Sequence, residues 1–484
     1  MRVGVVLHYL APFLAGLGVL MVVPLVASLI YQEPDRVPFA ISMAVTVATG
    51  LLLWLLTRPH RGGRLSRREA LVLVVGVWLA AALFGALPYK LSGTFPGYLD
   101  AYFEAMSGFT TTGASVLTSI ESQPHGILLW RDLTQWLGGM GIVVLFVAVF
   151  PLIGVGASHL VEGELPGPKG QRLTARIRDT ARILWTLYLG LSALEVVALL
   201  AAGLPFFDAL VNTLGTMPTG GFCLKDLSIG AYGSVPVEVI VLFFMLLAGT
   251  NFQLFYFLLW KRRFSVLLAD REVRWYLGIV AAATVFIVLD LALNANSSVG
   301  NAFRYATFQA VAIQTTTGFA TADFGGWPPF SQSVLLVLMI VGASACSTGG
   351  ALKVIRIAVL AKYAYRQILL IFSPRSVRPL KLAGRVLPER MVSEIVGLSI
   401  LYFAALVLGS IFMSAVGLDS ISALSSVAAT LGNVGPGLGM VGPGANYAFV
   451  PDIGKVALTF FMLIGRLEIW TVLVLVTPAF WRAR

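Results

Sequence analysis

Long apolar runs separated by short polar segments make up most of the chain. A helix needs about 20 apolar residues to cross a hydrocarbon core of roughly 30 Å, and ten such runs can be identified. They cover residues 5–30, 38–57, 70–91, 127–157, 183–203, 235–260, 275–294, 331–371 (interrupted), 392–416 and 454–481. The first run is too long for the core of a signal peptide, and no convincing cleavage site follows it, so we interpret it as a helix. The pattern predicts an all-α integral membrane protein.

The composition agrees with this class and excludes others. Of the 484 residues, 58% are hydrophobic and 12% are charged, whereas about a quarter of a soluble domain is charged. The two cysteines and four histidines show neither a disulfide framework nor the spacing of metal ligands. The net charge of +11 would suit a nucleic-acid-binding protein, but the basic residues lie between apolar runs. We therefore expect no nucleic-acid partner.

Basic residues are concentrated in alternate loops. If the ten runs cross in alternate directions, 26 of the 34 basic residues lie on one side. They are found in residues 58–68, 169–182, 261–274 and 353–390 and in the C-terminal tail. The positive-inside rule places this side, with both termini, in the cytoplasm, as in a multi-pass protein of the cytoplasmic (inner) membrane. The opposite loops are net acidic, which either attracts cations or only keeps the loops soluble.

A fourfold repeat lies in the loops of the opposite side. Segments beginning at Asp100, Asp208, Asn301 and Asp419, all good N-cap residues, each run through a short apolar helix into a turn with glycine. A helix of about ten to twelve residues covers half the bilayer, so these segments enter and return. The chain then consists of two leading transmembrane helices and four helix, half-helix, helix repeats around a pseudo-fourfold central pore. The predicted units are 1–68 for the leading helices and 69–160, 161–260, 261–380 and 381–484 for the pore repeats.

The glycine turns contain no charged side chain. They centre on Gly113, Gly318, Gly435 and either Gly220 or Gly221. Non-helical backbone at membrane depth is stable only when it is buried in protein or lines a water-filled cavity. Glycine permits positive φ and lets neighbouring carbonyls point inward, while each half-helix directs its partially negative end to the same centre. These features predict a site where main-chain oxygens bind a dehydrated cation.

These turns resemble those of a known family. Residues 110–115 (TTTGAS), 218–222 (PTGGF), 314–319 (QTTTGF) and 432–437 (GNVGPG) are similar to the four filter loops of the Trk/Ktr/HKT potassium transporter superfamily, most closely to those of the TrkH family of bacterial membrane subunits. The resemblance implies potassium uptake through a channel-like pore. In plant relatives, serine at the position of Gly113 goes with sodium preference, so glycine here favours potassium.

The resemblance also assigns the filter residues. It implies that potassium binds main-chain carbonyls just before the filter glycines Gly113, Gly221, Gly318 and Gly435. The residues concerned are Thr111, Thr112, Thr219, Gly220, Thr316, Thr317, Asn433 and Val434.

Residues 342–350 interrupt the eighth run. This GASACSTGG segment contains no side chain larger than threonine, and its glycines weaken a helix. The pattern alone allows either a break or a close helix crossing. The resemblance favours a break, because this family has an intramembrane loop that obstructs the pore here. We therefore expect Gly342, Gly349 and Gly350 to belong to a gate, and Lys353 either to tune the inner pore or to reach the membrane interface.

Arg466 lies inside the last apolar run. A charge in a membrane costs at least about 2.5 kcal/mol on insertion scales and marks a functional position by default. Carbonyls freed by the broken loop are suitable partners for it, and the resemblance gives such an arginine the role of an electrostatic barrier in the gate. The alternative is neutralisation by Glu468, although residues two apart on a helix do not face each other.

The motifs that the sequence lacks limit the other functions and indicate which partner is needed. It contains no catalytic motif, so we do not expect an enzyme. A cation/proton symporter or a poorly selective sodium/potassium transporter stays compatible with the pattern. Because no nucleotide-binding fingerprint is present, regulation by nucleotide needs a partner. The resemblance implies a homodimer and a TrkA-like nucleotide-binding cytoplasmic subunit as partner. This subunit would dock on the basic loops. Alternatively, the basic loops contact only membrane lipid.

Overall fold

The computed structural model describes residues 1–144 and 177–482, except for residues 62, 64, 260, 261, 263, 296, 377, 383 and 384. Within these residues the chain is mostly helical, as predicted. The end of the predicted run 127–157 and the first part of the basic segment 169–182 lie outside the described residues.

The N-terminal helices pack on the outside of the first repeat. They are Val3–Leu20, which continues as Val22–Ile30, and Arg36–Leu56. Val3–Leu20 packs along Arg36–Leu56 and also against the helix that begins at Arg67. That helix begins with a capping box, because the Ser66 hydroxyl accepts from the Glu69 amide at 3.3 Å and the Glu69 carboxylate accepts from the Ser66 amide at 2.9 Å.

Four repeats of a preceding helix, a half-helix and a following helix are present in the described part of the chain. The preceding helices are Arg67–Gly85, Ile177–Ala201, Arg271–Asn294 and Glu389–Ala415. The half-helices are Tyr98–Phe109, Phe206–Thr216, Val299–Gln314 and Ser420–Leu431. The following helices are His125–Val144, Val235–Ala248, Pro329–Val341 and Asp452–Arg466.

Shorter elements complete the described chain. Three helices continue the following helices beyond a break: Phe252–Leu259, Val354–Phe372 and Ile469–Val476. The remaining short helices are Leu87–Leu91, Phe264–Ala269 and Pro478–Arg482, and the 3-10 turns are Arg58–His60, Ser228–Tyr232, Phe324–Gly326 and Gly439–Val441. A small antiparallel hairpin pairs Lys381–Leu382 with Arg385–Val386.

The half-helices begin where predicted in only one repeat. Asp419 is an N-cap residue, and its carboxylate accepts from the amides of residues 421 and 422 at 3.2 Å. The N-cap prediction is wrong for Asp100, Asp208 and Asn301, because these helices start two residues earlier. The two aspartates lie in the first turn, where a carboxylate still stabilises the positive end of the helix.

The following helices break more often than the sequence suggested. The interruption of run 331–371 is confirmed, since helix stops at Val341 and resumes at Val354. The runs 235–260 and 454–481, predicted as unbroken, bend by 97° after Ala248 and by 120° after Arg466. The polar residues at these bends are too few to lower the average hydropathy of a long window, so such a window could not detect the bends. Among the described helices, six are long and apolar enough to cross a membrane, or up to eight if each bent pair is one span.

The repeats close into a cyclic arrangement. Each half-helix packs between the preceding and following helices of its own repeat. It also contacts the following helix of the repeat before it, and the half-helix of repeat 1 contacts the following helix of repeat 4. This order of contacts is what a pseudo-fourfold axis through four repeats requires.

Candidate functional site

The four glycine turns, residues 110–113, 218–221, 315–318 and 432–435, meet in a ring. A Cβ atom added to any of the four turn glycines would lie within 3.0 Å of a carbonyl oxygen in the next turn. The pairs are Gly113 with Gly220 O, Gly221 with Thr317 O, Gly318 with Val434 O, and Gly435 with Thr112 O. The contacts run in the order 1, 2, 3, 4 and back to 1. Glycine is needed at these positions because backbone approaches backbone.

Every half-helix ends in the same Schellman motif. The amide of the residue before each glycine donates to the carbonyl five residues earlier, and the amide one position earlier donates to the carbonyl three residues before it. The residue two before each glycine is therefore left-handed. These residues are Thr111, Thr219, Thr316 and Asn433, with φ of 51°, 55°, 62° and 52°.

The left-handed threonines were not predicted from the sequence. Glycine usually fills this position of a Schellman motif, and a β-branched residue with positive φ is an outlier. Such strain persists only where the surrounding structure enforces it, often at functional sites. No local pattern in the sequence predicts this left-handed conformation.

Positive φ also identifies the glycine of the second turn. Gly113, Gly221, Gly318 and Gly435 have φ between 78° and 99°, whereas Gly220 does not have positive φ. Gly221 is therefore the equivalent of the other three. Alternating signs of φ turn successive peptide units so that their amides share one side and their carbonyls the other. The residues predicted to present carbonyls all lie in these turns.

The first and third turns are supported by their own hydroxyl groups. Thr110 Oγ1 lies 2.7 Å from Thr112 Oγ1, and Thr315 Oγ1 lies 2.8 Å from Thr317 Oγ1. The first hydroxyl of each pair also lies within hydrogen-bond distance of a carbonyl in the last helical turn, at 2.7 Å and 2.8 Å. The first and third threonines of each triplet thus fasten the turn to the end of its half-helix.

The second and fourth turns are held by side-chain hydrogen bonds to more distant segments of the chain. Gln135 Nε2, on the following helix of repeat 1, donates to the Gly220 carbonyl at 2.7 Å. In the fourth turn, Asn433 Nδ2 donates to Thr112 Oγ1 at 2.9 Å and to the Met462 carbonyl at 3.0 Å. Tyr447 OH donates to the Gly435 carbonyl at 2.9 Å. Sequence reasoning identified Asn433 only through its carbonyl and missed the other two side chains.

A buried ion pair connects the segments that follow the first and second turns. Arg131 Nε donates to Glu104 Oε1 at 2.7 Å, and both side chains are at most 1% exposed. Glu104 also accepts from the Val116 amide at 3.0 Å, and the Arg131 guanidinium lies 3.9 Å from the centre of the Phe222 ring. A charged residue within an apolar run was the available signal for Arg131. Its partner could not be read from the sequence, because it lies 27 positions away.

Polar side chains on the third and fourth half-helices make hydrogen bonds similar to those of Glu104. Gln309 Nε2 donates to the Phe319 carbonyl at 3.0 Å, and Ser425 Oγ donates to the Leu438 carbonyl at 3.1 Å. Like Glu104, each of them fastens the segment leaving a glycine to the half-helix that precedes it. A cavity of about 250 Å³ lies beside the segments that follow the first, second and fourth turns, with Gly113, Gly221 and Gly435 in its wall.

The 342–353 loop contacts three of the four turns. Its Gly350 amide donates to Thr316 Oγ1 at 2.9 Å, and a Cβ on Gly350 would lie within 3.0 Å of the carbonyl of Gly432. Thr348 Oγ1 donates to the carbonyl of Met217 at 3.1 Å, next to the second turn. Gly342 ends the preceding helix with φ of 71°. The predicted gate glycines Gly342, Gly349 and Gly350 all lie in this loop.

Arg466 hydrogen-bonds a main-chain carbonyl of the 342–353 loop. Its Nη1 donates to the Thr348 carbonyl at 2.7 Å, and its Nη2 donates to the Gly138 carbonyl at 3.2 Å. Glu468, the alternative partner, forms a buried ion pair with Arg356 instead. Arg466 therefore links the loop to the following helix of repeat 1.

Lys353 closes the loop with its side chain inside the protein. It is 5% exposed and has φ of 76°. The alternative of a side chain that extends to the membrane interface is therefore wrong for Lys353 in this structure. Lys353 lines one small cavity together with Arg356, Arg466 and Glu468, so it lies in the same cluster of charged side chains.

The comparisons with known proteins agree with this architecture. Residues 36–482 match the family model described as TrkH, a cation transport protein. The Trk system potassium uptake protein TrkH of Halomonas elongata is 38% identical over 485 residues, with 100% of both chains covered. The protein of the same name from Escherichia coli K12 is 39% identical over 466 residues, 96% of each chain.

A solved structure extends the match to the fold. The crystal structure of the potassium transporter TrkH from Vibrio parahaemolyticus has a TM-score of 0.91 and 35% sequence identity, and the match covers 100% of both chains. The predicted resemblance, the all-α repeat architecture and the expectation of a transport protein rather than an enzyme are thereby confirmed. The chain is an integral membrane protein and belongs to the TrkH family of cation transport proteins.

Proposed function

We propose that the chain takes up potassium and that the ring of glycine turns is its selectivity filter. The observation that carries this proposal is the closed order of contacts in which each turn glycine meets a carbonyl of the next turn. The carbonyls proposed to bind potassium are those of Thr111, Thr112, Thr219, Gly220, Thr316, Thr317, Asn433 and Val434. The relatives named as potassium uptake proteins support the choice of ion.

The chemistry of the ring suits a weakly hydrated monovalent cation. Carbonyl dipoles can replace water around such an ion, and binding stays weak enough for the ion to leave. The turns contain no carboxylate, which would hold a cation too tightly. The negative ends of four half-helices add a favourable field.

In this proposal, the 342–353 loop and Arg466 form the gate. The loop crosses one side of the ring and contacts the second, third and fourth turns. The Arg466 guanidinium holds the Thr348 carbonyl and places a positive charge where a potassium ion would pass. Opening requires Arg466 to release Thr348, and the Arg356–Glu468 pair with buried Lys353 fixes the far end of the loop.

The proposal includes partners and location. Relatives of this chain are named as parts of a Trk system, which supports a regulatory subunit. We infer a TrkA-like nucleotide-binding subunit on the basic side of the membrane, a homodimer, and an inner-membrane location with both termini in the cytoplasm. Co-purification of the chain with a candidate subunit, and cross-linking of two tagged copies, test the two contacts separately.

Flux measurements in proteoliposomes test the proposed ion and filter. The wild type should take up rubidium and potassium in preference to sodium, and Gly113→Ser should lose this preference because its side chain meets the carbonyl of Gly220. Gly203→Ser is the matched control, since Gly203 also has positive φ but nothing lies within 4 Å of an added Cβ. Equal uptake of sodium and potassium by the wild type would overturn the proposal. A reversal potential that follows a pH gradient at fixed potassium would instead favour proton coupling.

The gate is tested by removing the proposed barrier. Arg466→Ala should raise potassium flux, because the variant loses both the positive charge and the bond to Thr348. Arg482→Ala, at the C-terminal end of the described chain, is the control. Unchanged flux through folded Arg466→Ala protein counts against the gate.

A further inference from the structure

The second turn lacks the triple threonine of the first and third turns, and a residue that lies 85 positions earlier compensates for it. The amide group of Gln135 bridges both sides of Gly221. Its Nε2 donates to the Gly220 carbonyl at 2.7 Å, and its Oε1 accepts from the Phe222 amide at 3.1 Å. The orientation of the amide is fixed, because a backbone N–H can only donate and a carbonyl can only accept. Gln135 is fully buried.

The same contact explains why the turn has two glycines. Gly220 does not have positive φ, so its own conformation does not call for glycine. A Cβ on Gly220 would, however, collide with the amide group of Gln135. The equivalent positions of the other turns carry side chains: Thr112, Thr317 and Val434. Gln135 thus fills from a neighbouring helix the space that a side chain of the turn itself fills elsewhere.

We propose that Gln135 is a positioning residue for cation selectivity, acting through the carbonyl of Gly220. This inference rests on the proposed function of the ring as a filter. By holding the residues on either side of Gly221, the amide fixes the direction of two peptide units in the second turn. Without this amide, the Gly220 carbonyl is free to rotate, and the second turn no longer holds its carbonyl oxygen at a fixed distance from the bound cation.

Four variants test this role. Gln135→Ala removes the bridge, and Gly220→Val adds the side chain that the fourth turn carries at this position. Gln135→Ala/Gly220→Val combines them, so that valine occupies the space that the amide leaves. Gln332→Ala is the matched control, because the side-chain hydrogen bonds of Gln332 go to carbonyls of Gly325 and Trp327.

The readout is the ratio of potassium to sodium uptake in proteoliposomes, with size-exclusion chromatography as the check of folding. Gln135→Ala should lower the ratio about tenfold, which is the order of effect of losing the hydrogen bond that orients the Gly220 carbonyl. Gly220→Val alone should also lower it, because valine collides with Gln135, whereas the double variant should recover to within about threefold of wild type. Gln332→Ala should leave the ratio unchanged.

The outcomes separate this inference from the function on which it rests. A wild type without potassium preference overturns the proposed function itself. A selective wild type with an equally selective Gln135→Ala variant overturns only the role of Gln135. If Gln135→Ala does not fold, the double variant decides the question. A folded double variant that prefers potassium supports the inference that the side chains of residues 135 and 220 fill the same space. A double variant whose ratio of potassium to sodium uptake is no higher than that of Gly220→Val refutes the inference.

Discussion

The first and third turns share the sequence Thr-Thr-Thr-Gly, whereas the second and fourth read Pro-Thr-Gly-Gly and Gly-Asn-Val-Gly. In the first pair, hydroxyl groups of the turn support it from within. In the second pair the supporting side chains are Gln135, Asn433 and Tyr447. All four turns nevertheless share one pattern of hydrogen bonds and one pattern of φ. The feature that repeats is the backbone, and different side chains can hold it.

The largest effect is expected from the charged support of the first turn. Removing one partner of a buried ion pair leaves an uncompensated charge and costs about 3–5 kcal/mol. Arg131→Ala should therefore strongly lower the free energy of unfolding, because Glu104 stays buried without its partner. Denaturation in detergent measures this loss.

An exposed ion pair provides the control for this variant. Lys225 and Glu121 are 35% and 48% exposed and lie 3.5 Å apart, so Lys225→Ala should cost less than about 1 kcal/mol. Glu104→Gln/Arg131→Met should recover much of the stability, since neither member of this pair then leaves an unpaired charge at its partner. Equal losses from Arg131→Ala and Lys225→Ala would show that the first turn does not depend on its charges.

The next effect concerns the glycines themselves, which both kinds of turn need. Overpacking costs about 1–3 kcal/mol, and a left-handed alanine adds strain. Gly221→Ala should lower potassium flux about a hundredfold, which corresponds to nearly 3 kcal/mol. Gly435→Ala should be milder, because its Cβ would lie 2.7 Å from the Thr112 carbonyl, the widest of the four approaches. Rubidium uptake measures both.

This order of effects depends on packing rather than on φ. Gly203→Ala introduces alanine at a φ of 93° with nothing within 4 Å, so it should retain most of the flux. If it inactivates the protein as strongly as Gly221→Ala does, backbone strain and not the contact between turns explains the result.

Local sequence patterns predicted the parts of the ring that depend on local physics. Apolar runs located the helices, small residues located the break before Lys353, and the spacing of glycines located the turns. The pattern could also assign Gly113, Gly318 and Gly435 to positive φ, because only glycine adopts it without cost. These features require no knowledge of what lies beside them in space.

Contacts between distant segments explain what could not be predicted. The bridge from Gln135 to Gly220 spans 85 positions, and the bond from Asn433 to Thr112 spans 321. The bend after Arg466 depends on Glu468, which has φ of 62° and pairs with Arg356 from another repeat. The local pattern of a single sequence contains no signal for such pairs.

The smallest effect is expected when the left-handed residues of the first and fourth turns, Thr111 and Asn433, are replaced by glycine, and it should differ between the two. Thr111 has a costly φ, and within the described residues its hydroxyl has no hydrogen-bond partner. For Thr111→Gly, relief of about 1–2 kcal/mol of left-handed strain opposes the entropy cost of glycine, about 0.5–1 kcal/mol. Its unfolding free energy should therefore stay within about 1 kcal/mol of wild type.

Asparagine tolerates the left-handed region better than threonine, and Asn433 also hydrogen-bonds Thr112 Oγ1 and the Met462 carbonyl. Asn433→Gly gains little relief and loses both bonds, so it should be destabilised by about 1–2 kcal/mol. Denaturant titration of the two variants beside wild type gives the comparison. A larger loss for Thr111→Gly than for Asn433→Gly would mean that the threonine side chain, and not the conformation it adopts, supports the first turn.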